Sequence, residues 1–411
     1  MLDHHALRAL FLTWDGPSQT YLESLFFPIF AGLRTSGIDV HVLQLTWASP
    51  ARLEPVRAAA RRSGLTYVPH QVPSSLRRVA LPAVVAFGAV LASRYGRAHG
   101  VQTLFPRSLI PGAMAELALR ARQPFELVFD ADGFMADERV DFGGLSQSAP
   151  AYRALRAIER QSVRRARAVI CRTAAAREIL VERAGSGPEA RSKIFVAPNG
   201  KDIRLFAPCD ATERARIRDA HGVGHDAPWL VYAGSIGPQY CPELMLDCLA
   251  RVRARRADAV FSCFAFQTET LRQLARERGL GDAVRFAELH PNELARTLAA
   301  ADVGLALRRE APSQRGVSPI KVAEYLLAGV PVVASEVGDL RQQLSGSDAS
   351  LLVDTQSPAT PELVADWVVR RVMPARQALS AGARQLGLRW FDLAACVDVY
   401  RRALLHQQVR A

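Results

Sequence analysis

Short apolar runs alternate with amphipathic stretches through the first half of the chain. Runs of this length, bounded by turn residues, are typical of buried parallel strands, and they occupy residues 9–14, 40–45, 65–68, 101–105, 127–129 and 168–171. Stretches with helical spacing separate them, for example at residues 21–35, 108–122 and 152–167. Strands that alternate with helices in this way predict a doubly wound α/β domain.

A cluster of turn formers interrupts the alternation at residues 196–208, VAPNGKDIRLFAP. Further apolar runs then follow at 229–233, 260–264, 284–286, 303–307, 330–334 and 350–353. We therefore predict two Rossmann-like, doubly wound domains, residues 1–197 and 198–387, with a C-terminal helix, 388–411, that packs back on the first domain. Open α/β sheets bind ligands beyond the carboxyl ends of their strands. Two such sheets facing a central cleft would bind a donor and an acceptor.

The charge balance restricts the class of partner. The 411 residues include 52 Lys and Arg against 40 Asp and Glu, a formal net charge of +12. Such a balance favours anionic partners, namely phosphorylated ligands, nucleic acid or an anionic membrane surface. Aromatic residues are not interleaved with the basic helix at 152–167, as binding to single-stranded nucleic acid would favour. We expect no nucleic-acid partner.

The cysteines and the first residues of the chain indicate a cytoplasmic protein. The six cysteines have no CxxC spacing and no histidine at metal-ligand spacing, so we expect reduced thiols and no metal site. The start, MLDHHALRALFLTW, lacks the pattern of a signal peptide. The most apolar stretch, residues 79–93, is shorter than the roughly 20 residues that span a bilayer. It predicts either a buried helix or a helix on the inner leaflet, anchored by flanking arginines.

The segment 301–335 contains the strongest chemical signal in the chain. Its apolar run is followed by a ten-residue loop, 308–317, which carries Arg308 and Arg315. Connections in α/β units usually span about 2–6 residues, so a loop of this length suggests a function. The next helix has Ser318 as its expected N-cap and Pro319 in its first turn.

The start of that helix has the chemistry of a phosphate site. A helix N-terminus offers free N–H groups and the positive end of the dipole. Lys321 and Glu324 lie three residues apart and therefore share a face. The pattern suits a nucleoside diphosphate, with Lys321 on the phosphates and Glu324 on the ribose hydroxyls. The alternative is an ordinary surface Lys–Glu pair.

Two polar segments of the first half are candidates for the acceptor side. Gly16, Ser18 and Gln19 lie between the first strand and the first helix, where they would touch a ligand or form an ordinary turn. The segment 130–141 holds five carboxylates and an arginine, including Asp132, Glu138 and Arg139. It is either an acceptor-binding loop, with Asp132 nearest the reaction, or a solvated acidic loop.

The sequence SPIKVAEYLLAGVPVVAS resembles the nucleotide-binding helix of the retaining glycosyltransferases of family 4, the group 1 transferases. The segment KIFVAPNGKDIRLFAP is similar to their interdomain linker, normally a VIPNGVD-x-x-x-F-x-P pattern. The segments LVYAGSIGPQYCPELMLDCLARV and VRFAELHPNELARTLAAADVGLAL resemble parts of their second domain. WDGPSQTYLESLFFPIFAGLRTSGIDVHVLQL and FDADGFMADERVDFG resemble parts of the first. These matches cover most of the chain in the family's order.

The resemblance implies a GT-B fold, a nucleotide-sugar donor, no catalytic metal and net retention at the anomeric carbon. It implies a glycan or lipid-linked glycan acceptor in cell-surface polysaccharide or lipopolysaccharide biosynthesis. The net positive charge and the apolar stretch at 79–93 suggest peripheral contact with the anionic inner membrane. Donor contacts are expected at Gly234, Ser235, Arg308, Arg315, Ser318, Pro319, Lys321 and Glu324. Acceptor contacts are expected at Gly16, Ser18, Gln19, Asp132, Glu138 and Arg139. The catalytic roles fall to Asp132, Glu324 and Lys321.

The chain also departs from the family pattern. The family often has two glutamates eight positions apart; Glu324 fits the second, and the first falls on Gly316. The usual Arg and Lys of the second domain are replaced around Ser235 and Tyr240, and Asp132 stands where many relatives have His. Arg308, Arg315 or Lys321 would then supply the positive charge. Two other functions therefore stay open: a sugar-nucleotide epimerase of the same fold, and a non-catalytic subunit.

Overall fold

The computed structural model describes residues 7–16, 20–72, 81–120, 125–185, 187–265 and 268–406. The chain divides into two α/β units. The first consists of Met1–Pro198, Pro312–Val317 and Leu393–Ala411, and the second of Asn199–Ala311 and Ser318–Asp392. Each unit has its own parallel sheet, so the predicted class, two Rossmann-like α/β domains, is confirmed.

The first unit contains seven parallel strands among its described residues, in the order β3-β2-β1-β4-β5-β6-β7. They are β1 Leu7–Asp15, β2 Ile38–Thr46, β3 Tyr67–Gln71, β4 Thr103–Pro106, β5 Glu126–Asp130, β6 Ala168–Cys171 and β7 Ile194–Val196. A π-helical turn, Leu22–Phe26, leads into the first helix, Phe27–Arg34. The other helices are Pro50–Arg62, Leu81–Ala98, Leu109–Arg120, Met135–Asp141, Pro150–Arg165, Ala174–Ala184, Gly187–Ser192 and Leu393–Leu404. The strand order reverses between β1 and β4, which is where doubly wound sheets bind ligands.

The second unit contains six parallel strands in its described part, in the order β10-β9-β8-β11-β12-β13. They are β8 Trp229–Ala233, β9 Val260–Phe264, β10 Val284–Ala287, β11 Val303–Ala306, β12 Val332–Ser335 and β13 Ser350–Val353. Its α-helices are Ala211–Ala220, Pro242–Arg253, Glu269–Glu277, Pro291–Ala299, Ile320–Leu327, Leu340–Leu344, Thr360–Trp367 and Arg376–Trp390, with a 3-10 turn at Gly281–Ala283 and a π-helical turn at Val368–Val372. Here the order reverses between β8 and β11.

Burial on both faces explains why the strands were readable as continuous apolar runs. All five residues of β8 and all five of β9 are buried, because helices cover both sides of a doubly wound sheet. The short strand β7 was not predicted, since three residues are too few to stand out as an apolar run.

The apolar stretch at 79–93 contributes most of its residues to the helix Leu81–Ala98; residues 79 and 80 lie outside the described ranges. One face, with Val84, Gly88 and Ala92, is buried. The opposite face is open, with Phe87 50% and Val90 52% exposed. One face of this helix therefore packs in the core of the first unit, and the opposite face is exposed to solvent. Within the described ranges, no helix combines the length and apolarity needed to cross a bilayer.

A buried carboxylate anchors the second sheet. Asp302 stands immediately before β11, and its side chain is fully buried. It forms ion pairs with Arg214 at 2.8 Å, Arg218 at 3.2 Å and Arg376 at 2.8 Å. It also accepts a hydrogen bond from the backbone N–H of Trp229, at the start of β8, at 2.9 Å. One side chain thus joins two helices to the two central strands.

Replacing this anchor should destabilise the second unit. Removal of one partner from a buried ionic network costs about 3–5 kcal/mol, because the remaining charges stay buried without compensation. We expect Asp302→Ala to lower the free energy of unfolding by that amount in urea denaturation followed by tryptophan fluorescence. Asp247→Ala is the control: Asp247 is exposed and pairs with Arg278 at 2.9 Å, so its loss should cost about 0–1 kcal/mol. Equal losses for the two variants would contradict a role for Asp302 as an anchor.

Candidate functional site

Polar residues gather at the carboxyl ends of the central strands of the second sheet. Gly234 follows β8, Arg308 lies just beyond β11, and Ser335 closes β12. The backbone N–H of Arg308 donates to the Ser335 hydroxyl at 2.8 Å. An isolated antiparallel bridge joins Arg308 to Tyr240, in the loop after β8. This edge of the sheet is the expected ligand position of an open α/β fold.

Two cations converge on the hydroxyl of Tyr240. Arg308 Nη1 donates to it at 3.1 Å and Lys321 Nζ at 3.3 Å. The same two groups lie against the Tyr240 ring, with Arg308 Cζ at 4.8 Å and Lys321 Nζ at 4.3 Å from its centroid. Among the described residues, no carboxylate forms an ion pair with Lys321. Two positive charges, on Arg308 and Lys321, thus lie next to one phenol hydroxyl.

The cations also change the acidity of that phenol. Burial raises the pKa of Tyr240, but the charges of Lys321 and Arg308 outweigh burial and lower the pKa to about 8. The hydroxyl is therefore mostly protonated at neutral pH and ionises just above it.

Gly234 brings the backbone of the β8 loop against Lys321. Its φ of 119° lies in a region that favours glycine. A Cβ at this position would lie 3.1 Å from Lys321 Nζ. The carbonyl of the next residue, Ser235, accepts from the Tyr232 hydroxyl at 2.6 Å, which fixes the loop. The predicted donor residues Gly234, Arg308 and Lys321 thus lie together.

The helix bearing Lys321 begins later than predicted. Its bounds are Ile320–Leu327, with Pro319 rather than Ser318 at the N-cap position. Ser318 is not the cap because Asn199 engages it: the Asn199 N–H donates to the Ser318 hydroxyl at 3.3 Å, and Asn199 Nδ2 donates to its carbonyl at 2.6 Å. The helix start has no side-chain cap. The N–H of Val322 donates to the Pro319 carbonyl at 3.1 Å, and the N–H groups of Ile320 and Lys321 before it remain available to an anion.

Glu324 has a different partner from the one the sequence suggested. It pairs with Lys201 Nζ at 2.8 Å, in a pair whose side chains are 13% and 5% exposed. Lys201 occupies the place of Val in the family's linker pattern, and it was not predicted as a site residue. The sequence did contain a signal for Lys201, namely a lysine in the linker turn at a position where the family pattern has an apolar residue. The surface Lys321–Glu324 pair, the alternative interpretation, is not formed between these described residues.

The loop 308–317 is divided between the two units: residues 308–311 group with the second unit and residues 312–317 with the first. Its 3-10 turn, Pro312–Gly316, groups with the first unit. There the carbonyl of Arg315 accepts from the Thr173 hydroxyl at 2.7 Å. Arg315 is therefore grouped with the first unit, whereas Lys321 belongs to the second. A Cβ on Gly316 would lie 2.9 Å from the Phe134 ring, so Phe134 leaves no room for the glutamate of the family pattern.

The first unit has its own polar cluster at the carboxyl ends of four strands. Arg107, just after β4, pairs with Asp15 at the end of β1 at 3.0 Å and with Asp132 beyond β5 at 2.7 Å. Arg172, just after β6, pairs with Asp130 at 2.7 Å and with Asp132 at 3.4 Å. Arginines and carboxylates alternate, so the charges in this cluster largely compensate one another.

A tyrosine of the C-terminal helix closes this cluster. The Tyr400 hydroxyl accepts from Arg172 Nη1 at 2.6 Å and donates to Asp130 Oδ2 at 3.1 Å. Arg107 and Arg172 were not predicted. Each stands directly after the apolar run of a strand, and this position in the sequence could have marked them as candidate site residues.

Asp132 is the accessible member of the cluster, with 27% of its side chain exposed. Its φ of 46° is unusual for a residue other than glycine and marks a strained position. Burial tends to raise the pKa of Asp132, but Arg107 and Arg172 outweigh it and lower the pKa. Asp132 is therefore an ionised carboxylate that accepts hydrogen bonds well and protons poorly.

The remaining predicted acceptor residues are less well placed or lie outside the described ranges. Glu138 and Arg139 are exposed on the helix Met135–Asp141. Gly16 follows β1, where a Cβ would lie 2.6 Å from the Trp47 ring. Ser18 and Gln19 lie outside the described residues. In the described part of the chain, no three His, Cys, Asp or Glu side chains are grouped as metal ligands.

Comparison with known proteins gives a family match that lies mostly within the second unit. Residues 227–368 match the model of the family "Glycosyl transferases group 1". This range contains Gly234, Tyr240, Arg308, Lys321 and Glu324. The resemblance predicted from the sequence is thereby confirmed.

A curated relative is the D-inositol 3-phosphate glycosyltransferase of Geodermatophilus obscurus, 31% identical over 239 residues. The alignment covers 55% of this chain and 50% of that protein, so the chain matches about half of that relative's length.

Two solved structures share the fold. Anabaena HepE in complex with UDP and glucose has a TM-score of 0.71 at 17% identity, covering 97% of this chain and 100% of that one. WaaG, a glycosyltransferase involved in lipopolysaccharide biosynthesis, has a TM-score of 0.69 at 18% identity, covering 97% and 99%.

The buried pair of Lys201 and Glu324 should be energetically coupled. We expect Lys201→Met and Glu324→Gln each to destabilise the protein and the double variant to lose less than their sum. The interaction energy should be about 1–3 kcal/mol, because each single variant leaves a buried polar group without its partner.

The measurement is a double-mutant cycle of unfolding free energies. The exposed pair Arg216–Glu213, at 2.8 Å and 65% and 35% exposed, provides the control cycle, with an expected coupling of about 0.3–0.5 kcal/mol. If the buried pair couples no more strongly than the exposed one, Lys201 does not hold Glu324 in place.

Proposed function

We propose that this chain, whose residues 227–368 match the group 1 glycosyl transferases, transfers a sugar from a nucleotide-sugar donor to a glycan or lipid-linked glycan acceptor. The observation that carries the proposal is the convergence of Arg308 and Lys321 beside the uncapped start of the helix Ile320–Leu327. Two cations and a helix dipole at the carboxyl edge of a sheet form a site for a diphosphate.

In this proposal the donor's leaving group is stabilised by the protein alone. Negative charge develops on the diphosphate as its bond to the sugar breaks. Lys321, Arg308 and the first N–H groups of the helix are fixed in place before that charge appears, which is how preorganised groups lower a barrier. No metal is required in this arrangement. Glu324, held by Lys201, accepts hydrogen bonds from the ribose hydroxyls.

On the acceptor side we assign Asp132 to orientation of the attacking hydroxyl. Its ionised carboxylate suits a hydrogen bond from that hydroxyl and makes it a weak base. Transfer with retention would then occur by attack on the face that the diphosphate leaves. The bond from the acceptor oxygen to the anomeric carbon forms, the bond to the phosphate oxygen breaks, and the hydroxyl proton passes to that phosphate oxygen.

The similar proteins suggest the substrate class. The names of the relatives specify an inositol phosphate acceptor, HepE binds UDP and glucose, and WaaG serves lipopolysaccharide biosynthesis. We therefore propose a hexosyl transfer in the assembly of a cell-surface polysaccharide or lipopolysaccharide, at the cytoplasmic side of the membrane.

The helix Leu81–Ala98 supplies a surface for membrane contact. Phe87 and Val90 are exposed, and Arg94 and Arg97 are exposed on the same face one and two turns further along. An apolar face flanked by arginines suits the interface of an anionic bilayer. We propose that this face rests on the inner membrane, where lipid-linked acceptors are found.

A non-catalytic subunit is the second candidate. Gly316, packed against Phe134, lacks the first glutamate of the family pattern. A chain that bound nucleotide but transferred no sugar to any acceptor would fit this alternative.

Donor binding and transfer should depend on Lys321. We expect one class among UDP-, GDP- and ADP-sugars to raise the unfolding temperature and to release nucleotide when acceptor is present, with retained anomeric configuration and undiminished rate in EDTA. Lys321→Met should weaken donor binding at least about tenfold, the effect of losing one charge-assisted contact.

Arg341→Met is the control for a surface cation, since Arg341 is 75% exposed and pairs only with Glu336 among the described residues. Failure of every nucleotide sugar to bind would refute the proposed function. Product formed without acceptor would indicate an epimerase instead.

Membrane binding should depend on the exposed apolar face. In flotation with phosphatidylglycerol vesicles, we expect wild type to rise with the lipid. The double variant Phe87→Ser/Val90→Ser should partition at least about tenfold less, because two apolar side chains no longer enter the interface. Leu363→Ser, which alters a 55% exposed leucine of the second unit, is the control. Equal flotation of wild type and the double variant would contradict this surface.

A further inference from the structure

The O–H group of Tyr240 has no hydrogen-bond acceptor among the described residues. A phenolic hydroxyl accepts through its oxygen lone pairs and donates a single O–H. Arg308 and Lys321 both donate to that oxygen. Among the described residues, none accepts the O–H. With both cations on the oxygen, the proton must point away from them, and a buried donor of this kind requires an acceptor.

Charged and titratable groups approach the side chain from several elements of the second unit. Lys321 approaches from the helix Ile320–Leu327 and Arg308 from beyond β11. The neutral Tyr232 ring of β8 lies 5.9 Å from the Tyr240 ring, edge-on. Arg309 and Glu243, the nearest charged neighbours along the flanking segments, are about half exposed and 3.8 Å from each other. No carboxylate of the described residues hydrogen-bonds to the phenol.

We propose that Tyr240 is a third hydrogen-bond donor to the donor's diphosphate, and that it binds the anion only while it carries its proton. The Tyr240 oxygen accepts hydrogen bonds from both Lys321 and Arg308 and so keeps them together. Its O–H is then the third donor, beside Lys321 and Arg308, to one phosphate. This inference rests on the proposed function and adds a residue that the family pattern does not supply, since Tyr240 stands where the usual basic residues are replaced.

The proton requirement gives the site a pH dependence with a definite sign. Without a bound anion, the pKa of Tyr240 is about 8, because Lys321 and Arg308 outweigh burial. A bound diphosphate adds negative charge beside the phenol and accepts its proton in a hydrogen bond, so binding raises this pKa. A group whose pKa rises on binding favours the complex at low pH. Affinity is therefore full below pH 8 and falls as pH rises through it.

The alternative is that Tyr240 only packs. The ring fills space against Tyr232 and carries the two cations on its face. Phenylalanine would preserve this packing and remove only the hydroxyl. Tyr240→Phe therefore separates the two roles without a cavity.

The test is calorimetric titration of UDP, GDP and ADP into wild type and Tyr240→Phe between pH 7 and pH 9. At pH 7 we expect Tyr240→Phe to weaken binding about tenfold, the loss of one hydrogen bond to a charged group. Wild type should itself weaken about tenfold from pH 7 to pH 9, and Tyr240→Phe should not. The ratio of the two dissociation constants should fall toward one at pH 9. Because the ratio is used, any titration of the nucleotide cancels.

Tyr152→Phe is the matched control, since its hydroxyl donates to Asp137 in the first unit at 2.9 Å and its removal should leave both affinity and pH profile unchanged. If wild type binds and Tyr240→Phe shows the same affinity and pH profile, the role of Tyr240 is wrong and the proposed function stands. If no nucleoside diphosphate binds to wild type, both are wrong.

Discussion

The proposed donor site depends on two positive charges, Arg308 and Lys321, at the carboxyl edge of the second sheet. Among the described residues, no carboxylate pairs with Lys321. Keeping two cations next to each other is unfavourable unless something offsets their repulsion. Here a phenol oxygen and an aromatic face do so in part. A doubly charged ligand would compensate the cations far better. This arrangement favours an anionic ligand, such as the proposed diphosphate.

The two units use the same position in the same kind of sheet in opposite ways. In the first unit, Arg107 and Arg172 are matched by Asp15, Asp130 and Asp132, so the cluster is nearly neutral and internally bonded. Such a network orients polar ligands by hydrogen bonds and has little net charge to attract an anion. In the second unit, Lys321 has no carboxylate partner among the described residues. This contrast agrees with the proposal of a neutral hydroxyl acceptor at the first unit and a charged donor at the second.

The sequence predicted the strands well and the partners of individual side chains less well. Runs such as Trp229–Ala233 and Val260–Phe264 were readable because burial on both faces makes them continuously apolar. Arg308 and Lys321 were singled out from the sequence, but their common partner Tyr240 was seen only as a departure from a pattern, because the loop that brings it back to β11 has no periodic signal. Ser318 was misjudged as a cap because Asn199, 119 positions away, engages it. Pairing across such separations is set by tertiary structure, which local spacing does not encode.

In the proposed function, Lys321 and Arg308 bind a diphosphate at the start of the helix Ile320–Leu327. A crystal structure of the protein soaked with a mixture of UDP, GDP and ADP tests it most directly. We expect one nucleotide with its phosphate oxygens within hydrogen-bonding distance, about 2.7–3.2 Å, of Lys321 Nζ and Arg308. A nucleotide bound elsewhere in the second unit, with Lys321 and Arg308 still donating to Tyr240, would show that these cations do not bind the diphosphate.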